Sequence, residues 1–276
     1  MPFDANGLFV VAWVCLGLAA LSYVACLARG SGWVDRAATV VSMAGLVAMT
    51  ATLAWRGIEA GQWPLTTSYE FLLVFIWGIL FVYLALERTF ATKAAGAFVL
   101  PIAFLLASYA LWYLPAGDKA VRPPLPALQS IWLQLHVGSS AFAYGAFAVA
   151  AAAGLMSLAR GTNRGFAARL PEPERIDLIT WRAVAHGFPW MTVVIITGAI
   201  WAQVAWGSYW SWDIKETWAL ITWLVYLLFL HARVIKGWRG RPLAIMAIGG
   251  FVVVLFTFLG MSTLARWAGL ESLHVY

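Results

Sequence analysis

Apolar residues in this chain run together instead of alternating with polar ones. Eight stretches, near residues 8–27, 37–55, 69–86, 95–114, 131–158, 188–206, 217–234 and 243–261, are each apolar enough to cross a bilayer core, which takes about 20 residues of helix. Membrane strands would alternate in and out over about 10 residues, so continuous runs of this length predict helices. The expected fold is an all-α, polytopic membrane bundle of about eight transmembrane helices. Residues 1–55 form an N-terminal helical hairpin, continuous as one bundle with a main domain over 56–276.

Composition supports the same class: 63% of the 276 residues are hydrophobic and 11% charged, and the mean hydropathy is +0.82. That leaves too little polar surface for a water-soluble globule. The first apolar run has neither a basic leader nor an A-x-A cleavage site, and so reads as a retained span. Lys and Arg in short loops stay on the cytoplasmic side. With the N-terminus outside, thirteen of the eighteen basic residues fall in inner segments and five (Arg56, Lys119, Arg122, Lys215 and Arg266) in outer ones. Both termini and the loop after the sixth run are therefore expected on the outer, periplasmic side of a plasma (inner) membrane. The net charge of +6 follows from this topology and needs no nucleic-acid partner.

Several chemistries lack their parts. The chain has no Gly-rich phosphate loop, no H-E-x-x-H, no G-x-S-x-G and no zinc-type cysteine cluster. Cys15 and Cys26 lie eleven residues apart in one span, about three helical turns from each other, and cannot pair in a straight helix. Without a C-x-x-C-H motif the chain carries no covalently attached haem of its own.

Ionisable residues at membrane depth are functional hypotheses by default. His136 stands a little over one turn inside the fifth run, followed by the small residues Gly138, Ser139, Ser140 and Gly145, which let a helix or a flat ligand approach. His274 lies in the outer tail, on the same side as His136. Two neutral imidazoles on one side of the membrane are candidate axial ligands for haem iron, although imidazole also serves other metals. His231 sits near the inner end of the seventh run and His186 at the inner mouth of the sixth, where it either caps a loop or joins His231 in a second pair.

Between the sixth and seventh runs, WGSYWSWDIKETW (206–218) holds four Trp, one Tyr, two carboxylates and a Lys. Such a segment suits an interfacial aromatic belt or a platform for a planar ligand. Within a helical turn, Trp206, Trp210 and Asp213 would share one face. The roles of Asp213 and Glu216 stay open between chemistry, docking and folding.

Extended to WGSYWSWDIKETWALITWLVYLLFLHAR, this segment resembles the tryptophan-rich WWD motif of the haem-handling proteins of cytochrome c assembly, most closely the CcsA (ResC) branch of system II. GQWPLTTSYEFL, PALQSIWLQLHV, GFPWMTVVIITGAIWA and the terminal LHVY agree with that branch, so the resemblance runs from about Arg56 onward. It implies that His136 and His274 are outer haem ligands and His231 a membrane-embedded one, with Trp206, Trp210, Trp212, Asp213 and Trp218 forming the haem-contacting motif. It further implies haem b as transported substrate, an apocytochrome c bearing C-x-x-C-H as acceptor, and a ResB/CcsB-type membrane partner supplying a second inner ligand. In that reading the chain is a subunit of a membrane cytochrome c synthase complex that moves haem outward and presents it for thioether attachment. The alternatives are a system I type haem-delivery protein, a haem-containing membrane oxidoreductase and, with less support, a solute permease.

Overall fold

The computed structural model describes residues 4–29, 32–90, 92–121, 128–162 and 165–260. Nine α-helices occur among them: α1 Ala5–Arg29, α2 Gly32–Ala60, α3 Ser68–Phe90, α4 Gly96–Trp112, the single turn α5 Ala116–Lys119, α6 Ile131–Arg160, α7 Pro173–Trp206, α8 Ile214–Val234 and α9 Arg241–Leu255, which continues as a π-turn over Phe256–Gly260. The described residues include no strand. The end of the eighth apolar run and the tail with His274 lie outside the described residues.

Seven helices are long and apolar enough to cross a membrane, α9 together with its π-turn. The remaining apolar run, α4, has 17 helical residues and Pro101 inside it, giving about 25 Å of helix against a hydrocarbon core of about 30 Å. The structure also lengthens the sixth run. α7 begins at Pro173 and takes in Asp177 and Arg182, so a charged segment precedes its apolar half.

α6 is the central post, packed against α3, α7 and α9. In its most apolar stretch 78% of the residues are buried, against 22% for α8. Lipid is as apolar as a leucine, so membrane helices associate by close packing of small residues, and α6 supplies them in Gly145, Gly154 and the alanines at 150–153. At its crossing with α3 the backbones touch: a Cβ on Gly145 would fall 2.5 Å from the Gly78 carbonyl oxygen, and one on Gly78 would collide with the Ala141 carbonyl.

Successive spans run antiparallel, so the loops gather at two ends. At the end carrying Arg160, Arg175 and Arg233, called here the basic end, buried polar groups tie the helices together. The Glu87 carboxylate accepts hydrogen bonds from Tyr23 (2.6 Å), Tyr83 (2.5 Å) and Thr39 (2.6 Å), joining α1, α2 and α3. Asp177 of α7 pairs with Arg233 of α8 at 2.7 Å and accepts from the Gly240 amide at 3.0 Å, fixing the start of α9.

At the other end, which carries residues 207–213 and is called here the tryptophan end, a buried pair braces the first loop. Arg56 meets Glu70 at 2.9 Å, with both side chains 2% exposed. Glu70 also accepts from the amide and hydroxyl of Thr66 at 2.8 Å each. Arg56 donates to the Lys119 carbonyl at 3.0 Å and lies over the Tyr69 ring at 5.0 Å. Burying such a pair is tolerable because these hydrogen bonds engage both Glu70 oxygens and the Arg56 Nε and Nη1 groups, while Nη2 stays within ion-pair distance of the carboxylate.

Candidate functional site

The main cavity of the described residues, about 190 Å³, opens at the tryptophan end. Its walls come from the starts of α3, α6 and α8, the last turns of α4 and α7, the loop 207–213 and the π-turn after α9. π-Turns inserted in α-helices occur often at functional sites. Most of the lining is apolar or aromatic, including Phe71, Tyr144, Trp201, Trp210 and Phe258.

His136 enters this cavity from the second turn of α6, a helix whose start is fixed by Ser130, the side chain of which accepts from the Trp132 amide at 3.3 Å. Its Nδ1 lies 2.8 Å from the Val194 carbonyl oxygen on α7. A carbonyl only accepts, so Nδ1 carries the proton and Nε2 the lone pair. Metal-binding histidines are commonly held in this way, by a hydrogen bond at the non-ligating nitrogen that sets tautomer and ring angle. The ring lies nearly parallel to Trp201, 20° between planes at 6.4 Å. Opposite, a Cβ on Gly198 would sit 2.7 Å from Nδ1 and 2.9 Å from Cε1. The imidazole thus occupies a slot that only glycine leaves open.

The tryptophan-rich loop is not helical. α7 ends at Gly207, α8 starts after Asp213, and so Trp206, Trp210 and Asp213 share no helix face. Asp213 is the N-cap of α8 and accepts from the Lys215 amide at 2.9 Å. Glu216 reaches back to the Asp213 amide at 3.2 Å, which completes a capping box. The same Glu216 oxygen accepts from the Ser211 amide at 2.8 Å and its hydroxyl at 3.2 Å, folding the loop onto the helix start. Both carboxylates of the motif are therefore occupied in holding the loop. Trp212 takes a φ of +58°, a left-handed conformation uncommon for a bulky residue and costing of order 1–3 kcal/mol.

Of the residues singled out from sequence, His136 and Trp210 line the cavity. Trp206 stands behind it, edge-on to Trp201 at 5.8 Å and 73°. Trp212 lies 69% exposed and perpendicular to Trp210 at 5.7 Å. Trp218 turns to Phe256 at 4.5 Å, bracing α8 against the π-turn. His231 is not brought to this site: it is exposed on α8, seventeen residues past Ile214, about 25 Å along the helix. His186 is exposed on α7, and among the described residues no group of three metal-ligating side chains forms. Sequence reading missed Trp201, Val194 and Gly198, although GFPWMTVVIITGAIWA contains the last two and Trp201.

A many-helix bundle with an aromatic-walled cavity at one end, entered by a carbonyl-oriented histidine, defines a polytopic membrane protein of helical class with this cavity as its candidate site. Residues 65–267 match the family model described as cytochrome C assembly protein. Proteins called cytochrome c biogenesis protein CcsA are similar over most of this chain: that of Pyropia yezoensis is 34% identical over 97% of this chain and 96% of its own, that of Microcystis aeruginosa 36% over 85% and 86%, and that of Guillardia theta 38% over 82% and 81%. The chain belongs to the CcsA family of cytochrome c assembly proteins, and its function lies in c-type cytochrome biogenesis. Among solved structures, cytochrome c heme lyase CcmF shares the fold, with a TM-score of 0.69 at 17% identity over 96% of this chain; the chain spans about half of that protein, 49%.

Proposed function

We propose that the cavity at the tryptophan end holds haem as a substrate in transit and presents it for attachment to apocytochrome c. The observation that carries this reading is the His136 slot: a histidine with its tautomer set by Val194, its ring flanked by Trp201 and Gly198, and its place in the wall of an aromatic cavity. The residues fit the group. A porphyrin needs flat apolar walls and an imidazole nitrogen with a lone pair for its iron, and both are present. His274, which the family resemblance makes the second outer ligand, would complete a bis-histidine site from the tail.

His231 receives haem at the other side of the membrane in this reading. Its exposed place on α8 lies in a stripe with Leu224, Leu228 and Ile235, 48%, 59% and 65% exposed, spaced four, three and four residues apart, one side of a helix. A membrane partner of ResB/CcsB type packs there and contributes the opposing ligand, while His186 stays outside the haem path. The tryptophan end is the outer side of the plasma membrane, where apocytochrome c arrives. Haem brings two vinyl groups, and each cysteine S–H of C-x-x-C-H adds across one of them, forming a C–S bond and a C–H bond with no net redox change. What this chain supplies is position, axial ligation and a water-poor wall. A permanent electron-transfer protein would enclose two histidine pairs within its bundle, whereas His186 and His231 both lie on the outside of this one.

Co-expression with a ResB-type partner and a C-x-x-C-H reporter tests the reading. Covalent haem on the denatured reporter is expected with wild type, to fall at least about tenfold with His136→Ala, and to recover in part with added imidazole. Undiminished attachment in His136→Ala would overturn it.

A further inference from the structure

The α6 wall of the cavity carries more than the histidine. His136, Ser140 and Tyr144 all line it, one helical turn apart on a single face. Tyr144 is the innermost, two turns or about 12 Å along the helix from His136. Aromatic side chains on a helix lean back over the preceding turn, so its phenol reaches toward Ser140 and the imidazole.

Neighbouring hydroxyls of the wall differ in what they have left to offer. Ser140 donates to the Val137 carbonyl at 2.7 Å, and Thr257 of the π-turn donates to the Val253 carbonyl at 2.8 Å. Tyr144, 7% exposed, has no hydrogen-bond partner among the described residues. Its oxygen keeps accessible surface, unlike the unpaired Tyr226 hydroxyl. Phe75 holds the Tyr144 ring in place, packed edge-on at 5.5 Å and itself edge-on to Phe258 at 5.5 Å. A phenol O–H left unpaired in such a wall is a standing cost that an acceptor in the cavity relieves. Ser140 complements it: its proton is spent within α6, but its oxygen still has a lone pair to offer. A donor and an acceptor thus stand one turn apart among apolar rings.

Resting on the haem-site reading above, we infer that Tyr144 and Ser140 form a subsite for a carboxylic acid on the inner edge of the planar ligand. Tyr144 Oη–H donates to the acid's carbonyl, and Ser140 Oγ accepts from its O–H. The apolar surroundings favour the neutral acid over the carboxylate. In haem this acid is a propionic arm. The pyrroles that carry those arms lie opposite the two that carry vinyls, so the subsite turns the vinyl edge toward the mouth, where a thiol can reach it.

The test titrates three metal-free porphyrins by fluorescence into the full chain purified in detergent with its partner: protoporphyrin, its dimethyl ester, and etioporphyrin, which has the ring but no oxygen. Tyr144→Phe keeps the aromatic wall and removes the donor, so protoporphyrin and the ester should each bind about five- to tenfold more weakly, and etioporphyrin within about twofold of wild type. Ser140→Ala removes the acceptor and should weaken protoporphyrin alone, by about three- to fivefold. An equal loss for all three porphyrins in Tyr144→Phe would assign the residue to packing and overturn the inference, as would no loss for any of them. So would oleate that displaces protoporphyrin from wild type but not from Tyr144→Phe, which would give the hydroxyl to a fatty-acid carboxyl. Because the probes have no iron, His136→Ala should leave these differences in place. Haem ligation indifferent to His136→Ala, with the Tyr144 dependence intact, would sink the iron-site reading alone; His136-dependent ligation without the Tyr144 dependence would sink this one alone.

Discussion

The two ends of the bundle treat their polar groups differently. At the basic end Glu87 is surrounded by three hydroxyls, and Asp177 holds an arginine and a backbone amide. At the tryptophan end buried donors on Trp210 and Gln62 have no acceptor among the described residues, Tyr209 and Trp212 are mostly exposed, and Trp212 carries a strained φ. The basic end joins its buried polar groups to one another, whereas the tryptophan end, outside its Arg56–Glu70 brace, leaves several unmet, the cavity-lining Trp210 among them. Unmet buried donors are rare because each costs roughly 1–3 kcal/mol.

The contrast can be broken at several points. The largest effect is expected from Glu87→Ala, which leaves the hydroxyls of Tyr23, Tyr83 and Thr39 without their shared acceptor. Stability should fall by about 2–4 kcal/mol, read from denaturation in detergent, while haem bound per folded protein stays unchanged. A specific loss of haem binding there would erase the distinction between the ends. Next, Gly145→Ala pushes a methyl group into the Gly78 carbonyl at the α3–α6 crossing, an overpacking cost of about 1–3 kcal/mol.

Glu216→Ala should cost about 1 kcal/mol through loss of half the capping box. It would also free Ser211 and loosen the loop, raising the rate of proteolysis between Gly207 and Asp213. Gly198→Ala is expected to change global stability least and the site most. Its methyl group displaces the His136 ring, so haem affinity should drop about tenfold with a melting temperature within a few degrees of wild type. A melting temperature far below wild type with unaltered haem affinity would show that Gly198 serves packing and not the slot.

Much of the fold could be read from the chain because membrane spans are recorded in local composition, and all eight apolar runs became helices. α7 exceeded its predicted bounds because a helix can leave the hydrocarbon without ending: Asp177 and Arg182 lower the local hydropathy but do not break the backbone pattern. Of the candidate site, His136 and Trp210 were legible as unusual residues in unusual places. Trp201 was not, since it meets His136 from another helix 65 residues away, and single-chain periodicity carries no pairing between spans. Asp213 and Glu216 read as possible chemistry although their spacing, an acid followed three residues later by Glu at a helix start, is that of a capping box.

The most direct measurement is the absorption spectrum of the protein purified with its partner and reduced by dithionite, for wild type and His136→Ala, with and without imidazole. Wild type should show a low-spin, bis-histidine spectrum that His136→Ala loses and imidazole restores. A low-spin spectrum of full intensity in His136→Ala would show that the cavity at the tryptophan end does not ligate the haem.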